Sequence, residues 1–350
     1  MHRRTLLLSL AASGGLLLAC AGGATPEEEV AAVAEPEPEA EAASPALDRV
    51  LGRGTLVVAM DLGENGAGTP PMYLPDAAGK PDGFDYEVAK WVALAVGVPD
   101  VKLVHGKYAE LPEMLRASKE IDVVISGYAP TDDPGLAWSV SYLDYGLALM
   151  VPGDSPVRRL EDLAGRTVGV FADPAARAEV QRLVPDAGAL VEMQDGYIEA
   201  LAAGKMDGFV YDYPYAAAEL RAWVAANPGK EAPRFARYNL NEMHYAVAVR
   251  DTEPELLDKV NEGIVRFTSS DKYGEAIRRF LSGGATVAAS AAPKSGAPQK
   301  MVTVQKGDTL SVIAGRELGD AGRWKDIWQA NRDRLASPHL IEVGDQLALP

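Results

Sequence analysis

The strongest constraint on this chain is a plan that occurs twice. Gly54-Thr-Leu-Val-Val-Ala59 reads as a buried strand, and Ile121-Asp-Val-Val-Ile-Ser126 as a second one further on. Gly165-Arg-Thr-Val-Gly-Val170 repeats the first segment. Met206-Asp-Gly-Phe-Val-Tyr211, entered through Gly204-Lys205, repeats the second, which is entered through Lys119-Glu120. Between these marks short β-branched runs alternate with amphipathic stretches, the pattern of parallel sheets with helical crossovers. The spacing predicts a helix capped by Asp85 and running to about Val96, with Val88, Ala89, Val92, Ala93 and Val96 at core intervals. It predicts a strand over 101–105 and a helix over 111–118. Two copies of one α/β plan imply two lobes and a cleft. Ligands of open α/β sheets sit beyond the carboxyl ends of the strands, which here are Asp61, Ser126 with Gly127, Phe171 and Asp212.

The ends of the chain carry different signals. Met1 to Arg4 is a basic head, and 5–18 is an apolar run too short for the ~20 residues of a membrane-spanning helix. It closes on Leu17-Leu18-Ala19-Cys20, which resembles a bacterial lipobox. That resemblance implies a signal peptide over 1–19 and a lipidated Cys20, each buried CH₂ of the lipid contributing roughly 0.8 kcal/mol of membrane attachment. Residues 20–47 follow as an acidic Ala/Pro/Glu linker with seven glutamates and no base, expected to be disordered, with a reach on the order of 80 Å. A second Gly/Ala/Ser/Pro stretch, 283–300, separates the body from the last 50 residues. The net charge of −16 disfavours nucleic acid as a partner. Cys20 is the only cysteine and the four histidines are scattered, so neither a disulfide, a metal site nor a cofactor is expected.

Residues 54–281 resemble the periplasmic solute-binding proteins of the polar amino-acid type (family 3), partners of ABC importers. The matching stretches are Gly54 to Ala59, Pro70-Pro71-Met72-Tyr73, Gly83-Phe-Asp-Tyr-Glu87, Ile121 to Gly127, Asp162 to Gly169 and Lys205 to Asp212, in that order. The resemblance implies a two-lobed α/β fold of the type II binding-protein kind over 48–282. Lobe 1 is expected over 48–146 and 246–282 and lobe 2 over 147–245, with crossover strands near 145–151 and 238–245. Two of the family's ligand grips are altered. Where a Thr-x-x-Arg motif would place an arginine on the ligand's α-carboxylate, the chain reads Thr131-Asp-Asp-Pro134. Where a Gly-Thr-Thr helix start would donate to the same group, it reads Phe171-Ala-Asp-Pro-Ala175, with Asp173 suited to cap its own helix. Asp212, the family's partner for an α-amino group, is retained. The expected solute is therefore cationic or neutral and not a free α-amino acid. Asp212 is its charge partner, Asp61, Ser126, Gly127, Thr131 and Phe171 line the cleft, and Met72, Tyr73, Tyr108, Tyr128 or Tyr211 form apolar walls. Against this, Tyr108 and Tyr128 are equally suited to a core edge, Thr131 to a plain turn, and Asp85 and Glu87 to a helix start.

The last 50 residues read as strand, helix, helix, strand and closely resemble a LysM domain over 301–350, a small α+β (βααβ) unit. The match rests on Gly307-Asp-Thr-Leu310, Ile327 to Asn331 and Gly344 to Leu349. The resemblance implies binding of N-acetylglucosamine-containing chains, here peptidoglycan, between Gly307, Asp308, Thr309 and Leu310 on one side and Pro338, His339, Leu340 and Ile341 on the other. Asp308 and Thr309 also suit a helix cap, and Trp324, Ile327 and Trp328 suit a core.

Together these features describe a non-catalytic receptor that is lipid-anchored, wall-bound and outside the cytoplasm, with an ABC permease as a further partner. The alternatives are a peptidoglycan-remodelling enzyme or accessory, or a structural membrane-to-wall tether with a degenerate receptor fold. No stretch remains for a lysozyme-like domain, and no nucleophilic triad is visible.

Overall fold

The computed structural model describes residues 44–172, 174–281 and 300–350. Cys20, the leader, most of the acidic linker and Asp173 lie outside the described residues. Helix α1 (Pro45–Arg53) starts three residues before the expected end of the linker. Ser44 is its N-cap, accepting from the Leu47 amide, Pro45 opens the first turn, and Gly54 closes the helix in the left-handed region.

Strands β1 (Thr55–Met60), β2 (Asp100–His105), β3 (Val123–Val124) and β4 (Leu136–Trp138) belong to the first sheet, with helices α2 (Phe84–Val96) and α3 (Leu111–Ala117) as crossovers. Strand β5 (Leu143–Tyr145) leads into β6 (Leu147–Val151), then β7 (Thr167–Phe171), α4 (Pro174–Leu183), β8 (Ala189–Met193), α5 (Tyr197–Ala202), β9 (Gly208–Asp212) and α6 (Tyr213–Ala226). The chain returns through β10 (Arg234–Arg237), β11 (Met243–Tyr245), β12 (Ala248–Arg250), α7 (Pro254–Thr268) and α8 (Asp271–Ala276).

The two five-stranded sheets run β2-β1-β3-β12-β4 and β8-β7-β9-β6-β10. Strand for strand they follow one plan. Three parallel strands sit at one side, and one antiparallel strand, β12 or β6, enters directly after a crossing between the sheets. The repeat seen in the sequence has a local cause. In the first sheet the Asp122 amide donates to the Val57 carbonyl while the Val57 amide donates to the Asp122 carboxylate at 2.8 Å. In the second, Asp207 and Thr167 exchange the same two bonds, at 2.9 and 3.0 Å. Each aspartate thus registers the start of one parallel strand against another.

Strands β5 and β11 form a separate antiparallel ribbon, pairing Met243 with Tyr145, His244 with Asp144 and Tyr245 with Leu143. This ribbon is the hinge between the sheets. Leu147–Val151, expected as part of the first crossover, is instead a fully buried strand of the second sheet, antiparallel to β9. The final module pairs β13 (Met301–Thr303) with β14 (Gln346–Ala348) around α9 (Leu310–Leu318) and α10 (Trp324–Ala330). Its core joins Val304, Leu310, Ile313, Ala314, Ile327 and Leu347.

Asp122 is fully buried and receives Arg49 and Arg53 from α1, and Arg49 also bonds Glu253, which pairs with Arg250. The cluster ties the leading helix to the sheet and to the start of α7. Removing its central acid strands two guanidinium groups that are held against the sheet. The variant Asp122→Ala is therefore expected to lose about 3–5 kcal/mol in urea denaturation, whereas Asp207→Ala, which leaves a more exposed Arg166, loses less.

Candidate functional site

The candidate site lies at the strand ends of the two sheets, which the approach of Gly127 to Tyr215 brings together. At the end of β1, the Asp61 amide donates to the Ser126 hydroxyl at 3.1 Å, which binds the ends of β1 and β3 together. The Asp61 carboxylate accepts from the Gly63 amide at 2.9 Å and from the Tyr108 amide at 3.2 Å. Its role is to hold Tyr108, which remains 45% exposed. The Tyr108 ring stacks on Tyr128 with centroids 4.2 Å apart and planes 4° from parallel, and the Tyr128 hydroxyl donates back to the Tyr108 carbonyl.

The second lobe supplies a matching surface. Phe171, at the end of β7, stacks on Tyr211 at 5.0 Å and 8°. Asp212 ends β9 and stands at the N-cap position of α6, yet its side chain makes no cap bond. Its Oδ2 instead accepts the Tyr145 hydroxyl at 3.2 Å and the Tyr245 hydroxyl at 3.0 Å, one phenol from each hinge strand. Burial raises the phenol pKa values of Tyr145, Tyr211, Tyr215 and Tyr245, and the Asp212 charge adds to each rise. The hydroxyls remain protonated, and those of Tyr145 and Tyr245 keep donating to Asp212. Tyr108 adds electrostatically to each of these rises.

Gly127 is where the lobes meet. Its φ is +60°, and a Cβ there would lie 2.6 Å from the Tyr215 hydroxyl, so a side chain would be both strained and blocked. Its amide donates to the Tyr142 hydroxyl, which in turn donates to Asp85 at 2.9 Å.

The sequence expectations divide accordingly. Ser126 and Tyr128 are 3% and 7% exposed, Ser126 tied to the Asp61 amide and Tyr128 packed in a core cluster with Val57 and Leu111. Asp61, Tyr108, Gly127, Phe171 and Asp212 are brought to the strand ends. Met72 and Tyr73 are not: they are 1% and 6% exposed and pack in the first lobe's core with Phe84 and Tyr142. The apolar segment that suggested a ligand wall is used to bury the start of α2. Thr131 is exposed, donates to Asp133 and accepts Trp138 Nε1 through its carbonyl, so its stretch is a turn. Arg116 binds the Pro134 carbonyl and Asp133 on this loop as well as Glu113 of its own helix, so that guanidinium is engaged there.

Asp85 departs from expectation most sharply. Gly83 occupies the N-cap position, and Asp85 in the first turn is wholly buried against Tyr142, with Oδ2 lacking a hydrogen-bond partner. Glu87 is a half-buried acid paired with Lys90 at 2.8 Å. Sequence reading also missed Tyr145, Tyr215 and Tyr245. Their only signal was position: two lie on the crossovers, and the third is one helical turn past Asp212.

In the C-terminal module the first half of the expected glycan groove is committed to local structure. Thr309 caps α9 by accepting from the Val312 amide, and Asp308 accepts the Gln305 amide and a bidentate Arg316. Leu310 is core, Ile341 packs against that core, and Gly307 is exposed. On the other side, Leu340 packs against the cores of both lobes and His339 lies edge-on to Tyr273 at 5.4 Å. Trp324 and Trp328 are half-buried, packed on the module's core along one side. Among the described residues, no cluster of three or more potential metal-binding side chains occurs and no helix is long and apolar enough to cross a membrane.

The sequence model of the bacterial extracellular solute-binding proteins, family 3, matches residues 63–283, well over half of the chain. The chain belongs to that family. A LysM domain matches 302–350, and the protein therefore joins a family 3 solute-binding domain to a peptidoglycan-binding module. It is 24% identical over 206 residues to the arginine-binding extracellular protein ArtP of Bacillus subtilis, covering 57% of this chain and 78% of ArtP. Among solved structures it resembles a mutant of ArgBP from T. maritima, with 31% identity and a TM-score of 0.51, covering 67% of this chain and 98% of that one. An ancestral arginine-binding protein bound to arginine matches at 28% identity and a TM-score of 0.51, over 66% of this chain and 99% of that one. These relatives are binding proteins.

Asp85 makes stability depend on pH. Burial raises its pKa from 3.8 to about 7, against the opposing bonds from Tyr142 and Gly127. Between these values the folded state holds a proton that the unfolded state has released, so stability falls as pH rises through this window. At about 1.4 kcal/mol per unit, the isosteric neutral variant Asp85→Asn is expected to melt roughly 4–10 °C above the parent at pH 8. The gap should close toward pH 4 in a thermal-shift series.

Proposed function

We propose that the two lobes close on a small organic cation lacking an α-carboxylate, with Asp212 as its counter-charge. The observation carrying this reading is the composition of the cleft. A carboxylate braced by two tyrosine hydroxyls lies with two stacked aromatic pairs, Tyr108–Tyr128 and Phe171–Tyr211, and proline replaces the family's carboxylate-binding arginine. Aromatic faces and a half-buried carboxylate both favour a delocalised or ammonium cation. The arginine-binding relatives support a guanidinium-type ligand, and Pro134 argues for one without the acid group. Asp61, Ser126, Gly127 and Tyr128 position the first lobe's wall.

In this reading the protein is a non-catalytic receptor of the cell envelope. Cys20 carries the lipid anchor, the acidic linker gives it reach, the LysM module holds the wall, and an ABC permease takes the solute. Titration calorimetry compares agmatine, putrescine and L-arginine on the chain from residue 21 onward. The reading expects agmatine to bind at least as tightly as arginine and Asp212→Asn to weaken it at least 100-fold, about 2.7 kcal/mol. Arginine binding tenfold more tightly than agmatine overturns it.

A further inference from the structure

The LysM module rests on the outer face of the hinge. Its Asp333 pairs with Arg237, and Arg332 pairs with Glu242. The Asn239 side-chain Nδ2 donates to the Arg332 and Leu335 carbonyls at 2.7 and 2.8 Å. His339 meets Tyr273 of the first lobe, and Leu340 packs on both lobes. The module therefore straddles the joint about which the lobes must turn.

Between module and hinge lies a groove of about 690 Å³, within the ~300–1,000 Å³ range of ligand sites. Trp324, Trp328 and Gln329 of α10 form one wall, with Pro338 and His339 beside them; Asp144 and His244 of the hinge ribbon form the other. Strand alternation explains how one ribbon serves two sites. Tyr145 and Tyr245 are buried with their hydroxyls on Asp212, although Tyr145 also contributes to the groove's lining, while Asp144 and His244, direct cross-strand partners, are exposed on the groove side. The groove has what a sugar chain needs. Two indole rings offer apolar faces to the C–H faces of pyranose rings, and a carboxylate, an imidazole and a carboxamide offer hydrogen bonds to hydroxyl and acetamido groups.

We propose that this composite groove, half LysM and half hinge, is a binding site for a chain of N-acetylated amino sugars, and that its occupancy is linked to closure of the lobes on solute. The proposal rests on the wall-binding role of the module and adds that the solute-binding domain supplies half of the site. Linkage follows because the module that forms one wall of the groove also packs on both lobes through Leu340. A sugar chain held between the module and the hinge ribbon is thus sensitive to the angle of the joint, and such coupling is reciprocal.

The test is titration of the chain from residue 21 onward with the β-1,4-linked tetramer of N-acetylglucosamine, following tryptophan fluorescence. Asp144→Ala and His244→Ala alter exposed hinge residues that a self-contained LysM site would not use; circular dichroism checks that both variants melt like the parent. The expected result is at least tenfold weaker sugar binding in each, with Trp328→Ala weaker still, and tighter sugar binding when agmatine is present. If the parent binds the tetramer and both hinge variants bind it equally well, the composite site is wrong while the wall-binding reading stands. If the parent does not bind the tetramer, both fall.

Discussion

The molecule turns on one carboxylate. Asp212 sits where the second sheet ends and α6 begins, a place where an aspartate ordinarily caps the helix. Here it leaves the helix amides and accepts two phenols, one from each strand of the hinge. That arrangement joins three things otherwise independent: the end of the second lobe's sheet, both crossovers and the aromatic surface facing the first lobe. A half-buried carboxylate braced by two neutral donors is a geometry suited to pairing with a cation. With Pro134 at the family's arginine position and this carboxylate kept, the proposed ligand is a positive solute facing acids and phenols.

Much of the fold was readable because it is written twice. The Gly-x-x-Val/Leu strand openings and the aspartates at 122 and 207 occur at matching points, and the structure gives the aspartates one job, the reciprocal exchange with Val57 and Thr167. Local pattern of this kind survives in sequence because its partners lie on adjacent strands. Positions at the strand ends were readable for the same reason: Asp61, Ser126, Phe171 and Asp212 follow from where strands stop.

What could not be read depends on partners far away in the chain. Met72 and Tyr73 look like a ligand wall in isolation and become core only because they join a cluster that includes Phe84 and, from distant parts of the chain, Tyr142 and Tyr245. Asp85 has the composition of a helix cap, but Gly83 takes that position and the acid turns inward to Tyr142, some 57 residues on. The tyrosines of the hinge carry no motif at all; their meaning comes from register, since Met243 pairs with Tyr145 and brings Tyr245 close to it. The LysM module follows the same rule. Its internal caps at Thr309 and Asp308 are local and were foreseeable, whereas its seat on the hinge comes from Asn239, Arg237 and Glu242, which nothing in the module announces.

The central claim is that an organic cation closes the lobes about the Tyr145–Asp212–Tyr245 joint. Hydrogen–deuterium exchange reads this directly in the amides of 126–130, 143–147 and 238–245, with and without each member of a panel of guanidinium and amine solutes. The account predicts that at least one cation slows exchange in all three segments together and that Asp212→Asn abolishes the effect. Unchanged exchange across the whole panel, or protection produced only by anionic solutes, would contradict it.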